Sequence, residues 1–207
     1  MNVSLVATLT FALTMTFSPG PNNIMSTSLG MMHGYRKALP LIAGIVCGFG
    51  IIMLLGAVAA TILLGVVPAI QPFVKYVGAV YIVWLAWITW SHRRDFGAGG
   101  GAALTRTQGF PGGLALQFAN PKAIAYSLVM YSTFLAGIVR DIPLVALSAV
   151  ALAGVTFAAT STWALAGAGI RVWLNSDRRR AIAAGVLAAA LICTAVELAG
   201  LPALVFG

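Results

Sequence analysis

Six stretches of this chain stay apolar for longer than a soluble fold can use. They cover residues 3–30, 39–63, 73–90, 112–137, 142–167 and 181–206. A helix needs about 20 mostly apolar residues to cross a bilayer. Membrane strands instead alternate polar and apolar side chains over about ten residues, and these continuous runs, rich in Ala, Leu and Gly, do not. The composition agrees: 60% of the residues are hydrophobic and 8% charged, with a mean hydropathy of +0.99. A soluble domain carries about 25% charged residues, and twelve Lys/Arg with four Asp/Glu cannot clothe a 21.4 kDa globule. The expectation is an all-α integral membrane protein with six transmembrane helices. Disorder is excluded by the apolar content. A disulfide scaffold is excluded because Cys47 and Cys193 are the only cysteines and both lie in apolar runs.

The first run is expected to stay as the first helix. It has no basic residue before it and no small-x-small cleavage pattern after it, as a signal peptide would. Cytoplasmic loops of membrane proteins collect Lys and Arg. Arg36, Lys37, Arg93, Arg94, Arg106, Arg171, Arg178, Arg179 and Arg180 follow runs one, three and five, whereas only Lys75 and Arg140 fall on the other side. That imbalance predicts cytoplasmic odd-numbered loops and both termini in the periplasm. It also explains the net charge of +8 without nucleic acid; a lipid bilayer is the expected surrounding.

Residues 96–108, with Gly99-Gly100-Gly101, read as a flexible cytoplasmic connector. It separates a first three-helix repeat, 1–95, from a second, 109–207. Three is odd, so the second repeat must run inverted, an architecture common in transporters. Pro19 and Pro121, and Pro40 and Pro143, recur at nearly one offset between the halves.

Helices one and four are expected to be broken. Ser18-Pro19-Gly20-Pro21-Asn22-Asn23 places two prolines and a glycine well inside the first run. Each proline lacks an N–H and clashes with the carbonyl four residues back. Asn120-Pro121-Lys122, preceded by Gln117 and followed by Tyr126, sits near the middle of the fourth run. A break inside lipid survives only where protein or a water-filled cavity satisfies the freed backbone groups. Two such breaks in inverted halves point to a midplane substrate site. The half-helix that starts near Asn22 aims free N–H groups at the break, which suits a carboxylate. The candidate substrate-binding residues are therefore Pro19, Gly20, Pro21, Asn22, Asn23, Gln117, Asn120, Pro121, Lys122 and Tyr126. Lys122 has a second reading as a lysine that snorkels to the interface.

Glu197 is the only carboxylate inside a run and is the candidate for proton coupling, with a wet position at the end of helix six as the alternative. His33 and His92 lie at helix ends with no second metal ligand at binding spacing, and no metal site is expected. There is no Walker loop, no redox cysteine pair and no cofactor motif. The acid–base clusters that an enzyme needs are absent from the sequence. The glycine spacings Gly30-x-x-x-Gly34 and Gly44-x-x-x-Gly48 allow close helix packing, chiefly within the monomer, and would also permit a homodimer.

Pro19-Gly20-Pro21-Asn22-Asn23, His33-Gly34-Tyr35-Arg36, the glycines of 44–50, Gly78-Ala79-Val80-Tyr81 and Asn120-Pro121-Lys122 together resemble the LysE/RhtB family. The resemblance runs in order over nearly the whole chain. Tyr81-Ile82-Val83-Trp84-Leu85-Ala86-Trp87 and Ala115-Leu116-Gln117-Phe118 look most like its cysteine/O-acetylserine exporter branch. The resemblance implies a small bacterial inner-membrane exporter of amino acids, driven by the proton gradient, and makes the two breaks the family's signature segments. One position departs from the pattern: Ile51 and Ile52 follow Gly50, where many members carry an acid. The resulting expectation is secondary export of small neutral amino acids or derivatives, of the cysteine/O-acetylserine or threonine/homoserine type. The alternative is a passive channel or an ion transporter of related fold.

Overall fold

The computed structural model describes residues 5–62, 80, 83–84, 86–87, 89–91, 93–95 and 109–199, with the side chains of 62, 95, 194, 195 and 197–199 excepted. Every regular element among them is helical. The α-helices are α1 (Leu5–Phe17), α2 (Pro21–His33), α3 (Tyr35–Ile62), α4 (Phe110–Phe118), α5 (Pro121–Val129), α6 (Ile142–Ile170) and α7 (Asp177–Ala199).

The expected breaks are where the sequence put them. α1 and α2 have 13 residues each, α4 and α5 nine each. At a rise of 1.5 Å per residue, neither a 20 Å nor a 14 Å helix crosses a hydrocarbon core of about 30 Å. None of the four is long enough to cross by itself. α3 and α6, by contrast, are continuous and are long and apolar enough to cross a membrane. After α5 the chain widens into a π-helical turn (Met130–Phe134) and then tightens into a 3₁₀ turn (Ala136–Ile138) before Asp141 caps α6 by accepting from the Leu144 N–H.

Run boundaries moved outward where polar residues extend a helix. α3 begins at Tyr35 rather than at 39, and α7 at Asp177 rather than at 181. The described residues of 80–91 are helical, but most of the third run, the connector 96–108 and the stretch beyond 199 lie outside the described residues. Pro40 lies inside α3, whereas Pro143 occupies the first turn of α6, so that proline coincidence does not mark equivalent positions.

Packing is closest where glycine lets backbones touch. α2 crosses α6 where a Cβ on Gly30 would collide with the Ala164 carbonyl and one on Gly167 with the Thr27 carbonyl. α3 crosses α4 in the same way, Gly44 against Phe110 and Gly113 against Leu41. Gly48 presses on the Gln117 side chain. Gly34 is no packing residue: it ends α2 with φ +82°, a conformation other residues rarely adopt. These glycine faces are occupied within the monomer, so a homodimer would have to pack through others.

Two buried clusters flank the breaks. One gathers Leu29, Leu41, Ile42, Ile45 and Leu191; the other gathers Met53, Tyr126, Met130, Tyr131 and Ala149. The outer surface is apolar as well: Ile142 is 81% exposed, Val150 70% and Trp173 71%. So large an apolar surface needs a non-aqueous neighbour.

Candidate functional site

The broken ends dictate the chemistry between them. In the first break, four carbonyls lose their helical donors; Met15 O, opposite Pro19, accepts from Ser18 Oγ at 3.0 Å, and three remain. The Asn23 side chain donates to two of them, Thr16 O and Ser18 O, each at 2.9 Å. The Trp163 indole N–H donates to the third, Phe17 O, at 3.1 Å. The carbonyls freed by the break are thus satisfied by side chains of the protein itself. α2 then restarts with Gly20 as N-cap and Pro21 at its first position, and no side chain caps it. Its first free N–H groups, on Asn22 and Asn23, stay available, because the first turn of a helix has no internal acceptors.

The second break closes on itself. The Asn120 N–H donates to Gln117 O at 3.2 Å, and Asn120 Oδ1 caps α5 by accepting from the Lys122 N–H at 3.1 Å. Pro121 holds the first helical position, where its missing N–H costs nothing. The proline equivalent to Pro121 is thus Pro21, not Pro19.

The two breaks reach across to each other. Asn22 Nδ2 donates to Gln117 Oε1 at 2.7 Å, and Asn120 Nδ2 to Asn22 Oδ1 at 3.3 Å. In the opposite direction, Lys122 Nζ donates to Ser18 Oγ at 2.7 Å. Asn22 and Lys122 hold the same position, second in their half-helices. Lys122 therefore turns inward to the other break and does not snorkel.

The order of the amides follows from one unambiguous donor. A backbone N–H, that of Lys122, fixes the oxygen end of Asn120. That turns the Asn120 NH₂ to the oxygen of Asn22, and the Asn22 NH₂ to the oxygen of Gln117. The Gln117 NH₂ is left over. It is buried and has no hydrogen-bond partner, as is the Tyr126 hydroxyl.

Between these groups lies a cavity of about 420 Å³, its open mouth included. Seven of the ten expected site residues line it: Gly20, Asn22, Asn23, Gln117, Asn120, Lys122 and Tyr126. Pro19, Pro21 and Pro121 shape the backbone without lining it. Asn23 has both amide protons engaged, so it holds the break rather than offering them inward. Glu197 falls in α7, but its side chain is outside the described residues.

Sequence reasoning missed Met15, Thr16, Ser18, Phe49, Ala123, Thr156 and Thr160 on the cavity wall. The two α6 threonines stand four apart in an apolar helix, a polar stripe that could have been read as one inward face. Phe49 carries no such signal in its glycine-rich surroundings.

With this geometry in view, similarity to known proteins becomes informative. A family model described as LysE type translocator matches residues 13–200. The chain belongs to that family and is a multi-pass inner-membrane translocator. It is 37% identical over 158 residues to a protein of Salmonella choleraesuis named cysteine/O-acetylserine efflux protein, covering 76% of this chain and 79% of the relative. Proteins of the same name from Klebsiella pneumoniae and Escherichia coli O1:K1 are 34% identical (78% and 80% covered) and 37% identical (76% and 79% covered). No solved structure matches this chain significantly.

Proposed function

We propose that this chain exports small neutral amino acids or their derivatives, of the cysteine/O-acetylserine or threonine/homoserine type, across the bacterial inner membrane. The observation that carries the reading is a cavity rich in donors and without an acid. Lys122 ammonium, the Gln117 amide and the free N–H groups of α2 converge there, and no Asp or Glu lines it among the described residues. A substrate carboxylate accepts from Lys122 and the amides, a charge-assisted set worth about 1.5–3 kcal/mol per hydrogen bond. A Lys or Arg substrate side chain finds no counter-charge.

The first-position prolines that restart α2 and α5 after the two breaks support two inverted repeats of three helices. Alternating access then exposes the site between the breaks to each side in turn. Both termini face the periplasm, as the Lys/Arg distribution suggests, and reporter fusions at the two ends test this. Proton movement drives export, with Glu197 as the candidate coupling group.

The test is efflux from cells loaded with a panel of dipeptides, with and without an uncoupler. Faster, uncoupler-sensitive release of cysteine, O-acetylserine, threonine or homoserine is expected. Release that ignores the uncoupler would make the chain a passive channel. No release of any amino acid by correctly inserted protein would overturn the export reading.

A further inference from the structure

The cavity wall has two unlike parts, set one helical turn apart along α5 by Lys122 and Tyr126. At one, Lys122 Nζ meets Ser18 and would stand 3.5 Å from any Cβ on Gly20. At the other, α3 places Phe49 against Tyr126, ring centroids 5.4 Å apart, and Phe11 stacks on the same tyrosine at 5.4 Å. The Tyr126 ring is thus fixed by aromatic packing and is only 4% exposed. Its hydroxyl lines the cavity and has no hydrogen-bond partner. Thr16 stands beside it, but no hydrogen bond of good geometry joins the two hydroxyls, and the Thr16 proton goes to the Ala12 carbonyl at 2.6 Å.

A buried hydroxyl without a partner is costly, and natural structures retain one where something else completes it. Packing alone would be served by phenylalanine. We infer that Tyr126 is the selectivity residue of the site: its hydroxyl donates to an oxygen on the substrate's side chain, a hydroxyl or an acyl carbonyl. This rests on the export reading above, in which Lys122 takes the carboxylate and leaves the side chain at the Phe49–Tyr126 part of the wall. Alkyl side chains of equal size fit there but leave the hydroxyl unpartnered. A site built to hydrogen-bond a substrate oxygen rejects the analogue that lacks it.

The test compares export of near-isosteric pairs, serine with 2-aminobutyrate and homoserine with norvaline. Wild type is compared with Tyr126→Phe at matched membrane levels. The wild type should favour the oxygen-bearing member of each pair by roughly five- to tenfold, the value of one neutral hydrogen bond to a buried donor. Tyr126→Phe should bring each ratio close to one by slowing the oxygen-bearing member and leaving the alkyl member unchanged or faster. Equal export of both members by the wild type would overturn the inference without any variant. So would an unchanged ratio in Tyr126→Phe, or a parallel fall for both members, which would make Tyr126 scaffold only. A wild type that exports neither member of any pair, nor any other amino acid, fails at the earlier step and overturns the export reading itself.

Discussion

The two breaks solve one problem by different means. The first exposes carbonyls that need side chains from beyond the turn, chiefly the Asn23 amide and the Trp163 indole from α6. The second is finished locally, by a tight Asn120-to-Gln117 turn and the Asn120 cap. The first leaves the N-terminus of α2 uncapped, whereas the second fills its own and carries the cation. The difference teaches that the halves divide the work. The first contributes open backbone donors, held in place by tertiary contacts. The second contributes charge and amides on a self-supporting turn.

The largest effect should come from Asn23→Ala. It strips donors from two carbonyls at membrane depth, each costing several kcal/mol if unsatisfied. Little folded protein should reach the membrane, as read by quantitative blotting. Normal levels would mean that the first break is as self-sufficient as the second. Lys122→Gln should insert normally yet lose roughly tenfold or more of export, since it removes a charge-assisted bond to the carboxylate. Full activity would remove the charge from the division of labour. Asn120→Ala loses one cap, worth about 1 kcal/mol, and one link of the amide relay. A modest fall in thermal stability with a several-fold loss of transport is expected; a loss of folding as complete as that of Asn23→Ala would erase the contrast. Pro19→Ala should be nearly silent in both assays, because Pro19 is exposed and does not line the cavity.

The breaks were legible because proline and glycine inside an apolar run have few uses, and because Asn, Gln and Lys there demand partners. Their division of labour was not. Nothing in Asn22-Asn23 says that one amide faces the cavity and the other mends the backbone; that depends on where the α1 carbonyls point. Pro19 was named for its proximity to the break, but Pro21 is the residue that matches Pro121 at the start of a half-helix. Gly30 and Gly44 were legible as packing residues, while their partners across α6 and α4, Ala164 and Phe110, exist only in three dimensions. Met15 and Phe49 are ordinary apolar residues in apolar helices, and only the fold gives them a cavity to line.

The central claim is that one substrate sits between the two breaks and touches both. Substrate protection of single cysteines tests it directly. Cys47 and Cys193 are exposed and must first be replaced by serine. Ser18→Cys then probes the first break and Ala123→Cys the second, with Ile142→Cys on the outer surface as control. The account predicts that an exported amino acid slows alkylation at 18 and 123 together and leaves 142 unchanged. Protection at neither position, or at only one of them, would contradict it.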